Sequence, residues 1–407
     1  MSRWAVVACD QFTQDGAYWK RVYELTEGVP SAAHIMLPEY YLPEGKEAVD
    51  ARIMDINRTM REYIDGGIFD EFKDSVILTK RTYASGKELT GIVAAIDLAQ
   101  YDYNKGSSSP VRATEATILE RIPPRVAIRQ GAPIEMPHIL ILIDDPDLTV
   151  IEPLQAKTEE SAAPEYDFEL MENGGRVKGY VLSNGRLLNK AFKALSELGD
   201  PETFRAKYNA GPEVPVLLLA VGDGNHSLAT AKAIYERDRN EKNRYALAEI
   251  VNIHSPGIEF EPIHRVLINV DTEAVREAAK CYFGQDLIIA DTLPDASSYH
   301  SLTFVSSSGR ENWYISKKRH LLCVGALQEF IDSYLKNRPE AEVDYIHGEA
   351  ETAALAAKDG YLGFLVPAMS KSDLFPTVIK YGALPRKTFS MGTAEEKRYY
   401  LECRRIG

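Results

Sequence analysis

The apolar and polar positions of this chain alternate between two periods, and the alternation predicts a mixed succession of strands and helices. In the first hundred residues, Trp4–Cys9 reads as a strand, Ala17–Thr26 as a helix, Ala33–Leu37 as a strand and Ala48–Tyr63 as a longer helix. Val76–Lys80 and Gly91–Leu98 read as strands, with Ala84-Ser85-Gly86-Lys87 as a hairpin connection. Tyr101–Pro110 is a polar loop. His138–Ile143 is uninterruptedly apolar and ends in Asp144-Asp145-Pro146, the pattern of a strand covered on both faces with acids at its carboxyl end. Gln155–Tyr166, charged and containing Ala and Pro, reads as an exposed connection.

The second half continues in the same manner. Val214–Val221, Ala246–Ile253 and Ile263–Val270 are strand patterns, and Leu228–Arg237 is helical. Beyond 271 the pattern predicts a helix over 273–281, strands near 302–305 and 321–324, and helices over 326–336 and 349–358. The expected class is mixed α/β (α+β). A length of 407 residues suggests two or three domains, drawn here as 1–270 and 271–407, although no linker composition marks that boundary.

Composition narrows the function classes. Lys and Arg number 47 against 60 Asp and Glu, for a net charge of −13, which disfavours a general nucleic-acid binder. The four cysteines, Cys9, Cys281, Cys323 and Cys403, are far apart, which argues against a disulfide scaffold or a thiolate zinc site and suits a reducing cytoplasm. No apolar run approaches the ~18 residues of a membrane span, and the first residues do not open a signal peptide. These features leave a soluble, cytoplasmic enzyme as the expectation, with neither membrane nor nucleic acid as partner. They assign no oligomeric state.

The most informative stretch is Leu217–Ala231. A buried strand ends, Gly222 and Gly224 turn the chain, and a helix starts near Ser227. A helix start offers amide groups and a positive dipole end to an anion. Gly224 permits close backbone approach to a phosphate, Asp223 suits either Mg²⁺ or a substrate amine, and His226 can donate a hydrogen bond or exchange a proton. The competing reading is a glycine turn capped by Asp or Ser. A Walker loop fails for want of a Lys after these glycines, and the dinucleotide pattern fails because Ser227 occupies its third glycine. A metal hydrolase built from His226, His254 and His264 lacks a helical His pair, and no serine sits in a nucleophile elbow.

Three further groups carry charge. Pro256-Gly257 turns the chain after Ala246–Ile253, so His264 and Arg265 are expected to return beside that strand as an antiparallel partner. Arg265 suits a carboxylate or phosphate, or a surface salt bridge. Glu115 lies among Arg112, Arg121 and Arg125, which either keep it ionised as a base or make ordinary ion pairs with it. Lys371, Asp373, Arg386 and Lys387 either complete an anion pocket or finish a solvated edge.

Taken together, Asp223-Gly224-Asn225-His226, Pro256-Gly257 with Pro262, His264 and Arg265, Asp145-Pro146, and Leu384-Pro385-Arg386-Lys387 resemble domain-of-unknown-function family 1015, which is grouped with ParB- and sulfiredoxin-like proteins. The matches keep the family's order from about residue 75 to 392. The opening Val7–Gln11, Tyr18-Trp19 and Leu37–Glu39 resemble a subgroup of it. Many members have His and Arg where this chain has Asn225 and Ser227. The family's His-Glu-x-Thr element is matched by Thr114-Glu115-Ala116-Thr117 without its His.

The resemblance implies a ParB/sulfiredoxin-like core with additional mixed α/β regions, and the chemistry of a free-serine kinase. ATP or ADP with Mg²⁺ would then phosphorylate a small amino acid, with L-serine the leading substrate. Carried over by position, Glu115 is the base, Asp223 positions Mg²⁺ or the serine, and His226 completes the catalytic set. Gly222, Gly224, Asn225, Ser227, His264 and Arg265 cradle the nucleotide, and Arg112, Thr117, Arg386 and Lys387 hold substrate or anion. A sulfiredoxin-like activity needs a cysteine in the central loop, where this chain has Asn225. The alternative is a non-enzymatic nucleotide switch or metabolite sensor.

Overall fold

A computed structural model describes residues 1–115, 122–183 and 185–406. The chain divides into two compact units: Met1–Ile258 together with Gly392–Gly407, and Glu259–Met391. The boundary therefore lies at Ile258–Glu259, twelve residues before the break drawn from sequence, and the last residues rejoin the first unit.

In the first unit, α1 (Gly16–Thr26) and α2 (Lys46–Asp65) precede β1 (Ser75–Thr82), β2 (Glu88–Asp97), β3 (Tyr101–Asp102) and β4 (Val111–Ala113). Then come α3 (Ile122–Gln130), β5 (Ile134–Glu135), β6 (Leu140–Ile143), α4 (Ile151–Ser161), β7 (Tyr166–Glu169) and β8 (Arg176–Ser183). The unit continues with α5 (Arg186–Leu198), α6 (Pro201–Tyr208), β9 (Leu219–Asp223), α7 (Asn225–Arg237) and β10 (Tyr245–Asn252). Nine of these strands form one sheet in the order β3-β4-β9-β6-β10-β2-β1-β8-β7.

The hairpin foreseen between β1 and β2 is present, with Ile77 opposite Val93. β6 lies parallel to β10 and antiparallel to β9. All four of its residues are buried, which is why its sequence shows no polar alternation. On the other flank of β9, β4 runs parallel, pairing Val111 with Leu219 and Ala113 with Val221. Leu228, Ala231 and Tyr101 join the core formed over this part of the sheet. A second core collects Trp4, Trp19, Val22, Ile35 and Met60 around the amino-terminal helices.

Four expectations differ from the structure in this unit. Trp4–Cys9 makes only an isolated bridge, Val7 with Arg398, because its partner is the irregular end of the chain rather than a strand. Ala33–Leu37 is not a strand: Ala32–His34 forms a 3₁₀ turn capped by the Ser31 hydroxyl. The connection drawn at Gln155–Tyr166 is largely α4, whose buried Ile151, Leu154 and Thr158 follow helical spacing. Pro153 is tolerated there because it lies in the first turn, where amides have no intrahelical partner. The segment after Pro256-Gly257 does not return beside β10, whose neighbours are β2 and β6.

The second unit holds a seven-stranded antiparallel sheet. Its strands are β11 (Phe260–Ile268), β12 (Leu287–Ile289), β13 (Tyr299–Ser306), β14 (Gly309–Ser316), β15 (Glu342–His347), β16 (Tyr361–Leu365) and β17 (Phe389–Met391). The helices are α8 (Thr272–Phe283), α9 (Cys323–Leu335), α10 (Glu349–Ala356) and α11 (Leu374–Tyr381). Phe304 stacks on Trp313 at 4.8 Å, with Phe364 at 5.6 Å from both, in the centre of this core. The strand expected at 321–324 is instead the start of α9.

The carboxyl-terminal residues are woven into the first unit. Ala8 N–H donates to the Lys397 carbonyl at 2.7 Å and Tyr399 N–H to the Val6 carbonyl at 2.9 Å. The buried Arg398 guanidinium donates to the carbonyls of Ala5, Glu172 and Glu395. Arg404 and Arg405 pair as a short strand, β18, with β5. No helix among the described residues is long and apolar enough to cross a membrane.

Candidate functional site

The loop singled out by sequence lies where β9 ends and α7 begins. Gly222 is still within the extended strand, so the turn belongs to Gly224 alone, with φ 80° and ψ 23°. Two independent constraints demand glycine there. The left-handed backbone is one. The other is space, since a Cβ would lie 2.5 Å from the carbonyl oxygen of His138 and 3.0 Å from the Ile139 Cα. Asn225, His226 and Ser227 form the first turn of α7, where helix geometry leaves amides without intrahelical acceptors. No side chain caps this end, so the capping reading is not what the loop does.

Asp223 sits at the carboxyl end of β9. Its Oδ1 accepts the Gly224 amide at 2.7 Å, and its Oδ2 lies 3.3 Å from the Lys397 ammonium. Burial pushes the carboxyl's pKa up, but Lys397, His138 and the Gly224 amide outweigh it and hold the group below the usual carboxylate range. Beside it, burial pushes the His138 imidazole down to about 4, against the pull of Asp223, so the ring is neutral at physiological pH. The His138 Nε2 and the Asn225 Oδ1 are buried without a hydrogen-bond partner among the described residues, leaving polar capacity beside the loop. Tyr400 braces the adjoining strand, its hydroxyl accepting the Ile139 amide at 3.1 Å and donating to the Ile139 carbonyl.

Glu115 follows the carboxyl end of β4, the strand next to β9. Because β4 and β9 are parallel and Ala113 pairs with Val221, Glu115 and Asp223 each lie two residues beyond paired positions. The Thr114 hydroxyl donates to the Val221 carbonyl at 2.6 Å and ties the two strand ends together. Glu115 is partly exposed. Thr117 lies outside the described residues, as does Arg121.

Arg112 and Arg265 are both buried and bound to backbone carbonyls. Arg112 does not present its fork to a ligand: it is buried, and its donors go to the carbonyls of Ser109 (2.7 Å), Pro215 (2.8 Å) and Val216 (2.8 Å). It is a staple between the β4 entry and the β9 entry. Arg265 is fully buried in the second unit and donates to Gln328 Oε1 at 3.1 Å and to the carbonyls of Ile263 and Arg386. A solvent-borne phosphate cannot reach a guanidinium so enclosed. His264, in the same strand, accepts the Val366 amide at its Nδ1, 3.2 Å away. Arg386 pairs with Asp332 at 2.9 Å, and Lys387 is an exposed turn residue with φ 53°. Arg265 and His264 are buried in the second unit, whereas Arg386 and Lys387 are exposed.

Both oxygens of the Asp223 carboxylate face a neighbouring donor. One carboxylate oxygen is taken by the Gly224 amide and the other faces an ammonium, and among the described residues no group of three or more His, Cys, Asp or Glu side chains could hold a metal.

At the opposite end of β6, Asp144 gathers a second polar cluster. Its carboxylate lies 2.6 Å from His254 Nε2, accepts the Tyr208 hydroxyl at 2.5 Å and pairs with Lys207 at 2.9 Å. Asp145 next to it accepts the amides of Thr149 and Val150 and so anchors the approach to α4. Thus Asp145-Pro146 is a structural turn, and His254 is committed to a carboxylate far along the strand from the Gly224 loop.

Sequence reasoning missed Lys397 and His138. Lys397 lies in the charged run Glu395–Arg398, which has the composition of a solvated face, and His138 begins an apolar strand, where a histidine usually means core packing. No spacing rule connects either to Asp223.

Comparison with curated proteins finds no match. Among solved structures the chain is similar to a free serine kinase in complex with AMP, at 12% identity and a TM-score of 0.37, over 74% of this chain and 88% of that one. It is similar to SbnI from Staphylococcus aureus with a C-terminal truncation, at 9% identity and a TM-score of 0.39, over 74% and 82%. A conserved hypothetical protein from Pyrococcus furiosus aligns at 10% identity and a TM-score of 0.35, over 74% and 90%. The family model described as "Protein of unknown function (DUF1015)" matches residues 1–344, most of the sequence, and the chain accordingly belongs to that family.

Proposed function

We propose that the protein is a nucleotide-dependent phosphotransferase that phosphorylates the hydroxyl of a small amino acid, with L-serine the leading acceptor and ATP or ADP the donor. One observation supports this reading: β4 and β9 run parallel with Ala113 beside Val221, and Glu115 and Asp223 each follow two residues later, next to the start of α7. Crevices at the carboxyl ends of parallel strands beside a helix start are where α/β folds bind phosphorylated ligands.

In this mechanism the first-turn amides of α7 at Asn225, His226 and Ser227 hold phosphate oxygens, and Gly224 lets the ligand approach the backbone. The His226 ring donates to a phosphate oxygen. Glu115 orients the acceptor hydroxyl and takes its proton. The hydroxyl oxygen bonds to the terminal phosphorus as the bond from that phosphorus to its bridging oxygen breaks, and the electron pair leaves with the shortened nucleotide. Such transfer depends mainly on positioning and charge neutralisation. Asp223 would position the serine or Mg²⁺ beside the Lys397 ammonium that it already faces.

The test is incubation of the full chain with ATP or ADP, Mg²⁺ and a panel of hydroxy amino acids, followed by phosphorus NMR. Formation of O-phosphoserine that Glu115→Gln abolishes is the expected result. Nucleotide binding without transfer to any acceptor would favour the switch or sensor reading, to which the neutral Asn225 and Ser227 are suited. Absence of nucleotide binding would overturn the site altogether.

A further inference from the structure

We propose that Lys397, delivered by the carboxyl-terminal segment, is the phosphate-binding cation of the Asp223–Ser227 loop. The inference rests on the nucleotide reading above. A chain of net charge −13 must draw an anion with a local positive site, and Asp223–Ser227 itself contains no Lys or Arg. The guanidinium nearest in sequence logic, Arg112, is consumed by three carbonyls.

Lys397 answers that need by geometry. Its Nζ lies 3.3 Å from Asp223 Oδ2, and its side chain remains 18% exposed, so it is fixed beside the loop but not sealed from a ligand. An ammonium has three donors, and a single carboxylate does not exhaust them. Its backbone is held on both sides. The Lys397 carbonyl accepts the Ala8 amide, Arg398 is locked onto three carbonyls, and Tyr399 N–H donates to Val6. Anchoring of this kind lowers the entropy that a flexible lysine loses when it grips a phosphate. Asp223 then acts as the positioning group that holds the ammonium at the loop before the nucleotide arrives.

Binding of ATP and of ADP to the full chain, measured by calorimetry over a range of salt concentrations, tests this. Lys397→Met keeps the aliphatic stem and removes the charge. It is expected to weaken nucleotide binding about ten- to a hundredfold, the loss of one charge-assisted hydrogen bond, and to flatten the salt dependence. Lys397→Arg should recover most of the affinity, which a purely structural role does not predict. Lys397→Ala serves as a second variant, with melting temperature recorded for all three. Wild-type affinity and salt slope in a folded Lys397→Met protein would overturn the inference while leaving the nucleotide site intact. If the wild-type chain binds no nucleotide, both the site and the role of Lys397 fall.

Discussion

Lys397, near the end of the chain, and Asp223, near its middle, face each other at 3.3 Å at the turn into α7. The pairing has a measurable acid signature. Burial pushes the Asp223 carboxyl up, but its partners hold it below the ~3.9 of an unfolded aspartate. Its stabilisation is therefore present above about pH 4 and is lost as pH falls through the lower folded value. Asp223→Asn should cost about 1–3 kcal/mol at neutral pH. In denaturant titrations at several pH values, the variant should also show a shallower loss of stability at the acid end than the wild type.

His138 sets a second pH window. Its folded pKa is about 4, lowered first by burial, against ~6.5 in an unfolded chain. Between these values the unfolded state binds more protons, so stability rises with pH across the window and falls as the solution is acidified. His320 in the second unit behaves alike, also at about 4. Replacing His138 with Gln should therefore reduce, without abolishing, the drop in melting temperature between pH 7 and pH 5. An unchanged pH profile would show that His138 is not held neutral.

Gly224 admits no side chain. Gly224→Ala places a Cβ 2.5 Å from a backbone carbonyl oxygen, in a left-handed conformation that alone costs about 1–2 kcal/mol. Chemical denaturation should register a loss of at least that size. Gly222→Ala, within the strand, is expected to cost less. Equal effects at the two glycines would contradict the assignment of the turn to Gly224.

Arg112 should behave as a structural residue. Arg112→Lys keeps the charge but cannot reach three carbonyls with a planar fork. A stability loss of about 1–3 kcal/mol with unchanged nucleotide affinity is the expected outcome. A drop in affinity in a stably folded variant would restore Arg112 to the ligand site.

Where one side of an element could be read locally, the sequence was a reliable guide. The hairpin of β1 and β2, the fully apolar β6 and the Asp223–Ser227 loop all carry their signals within a few residues. Elements whose shape depends on a distant partner were misread. Trp4–Cys9 has the composition of a strand, but it meets the irregular Lys397–Tyr399 segment and makes a single bridge. Arg265 looked like an anion fork because a sequence shows its charge and not the enclosure around it.

By itself the sequence determined the mixed α/β class and the strand–glycine–helix turn at Asp223–Ser227, because periodicity, glycine and charge are local properties. Only the tertiary structure decided which charges meet. The parallel pairing of β4 with β9 sets Ala113 beside Val221, and the return of the chain after Met391 brings Lys397 to Asp223. Strand register and the path of a terminal segment depend on burial and hydrogen bonding across the whole first unit, which no local pattern encodes.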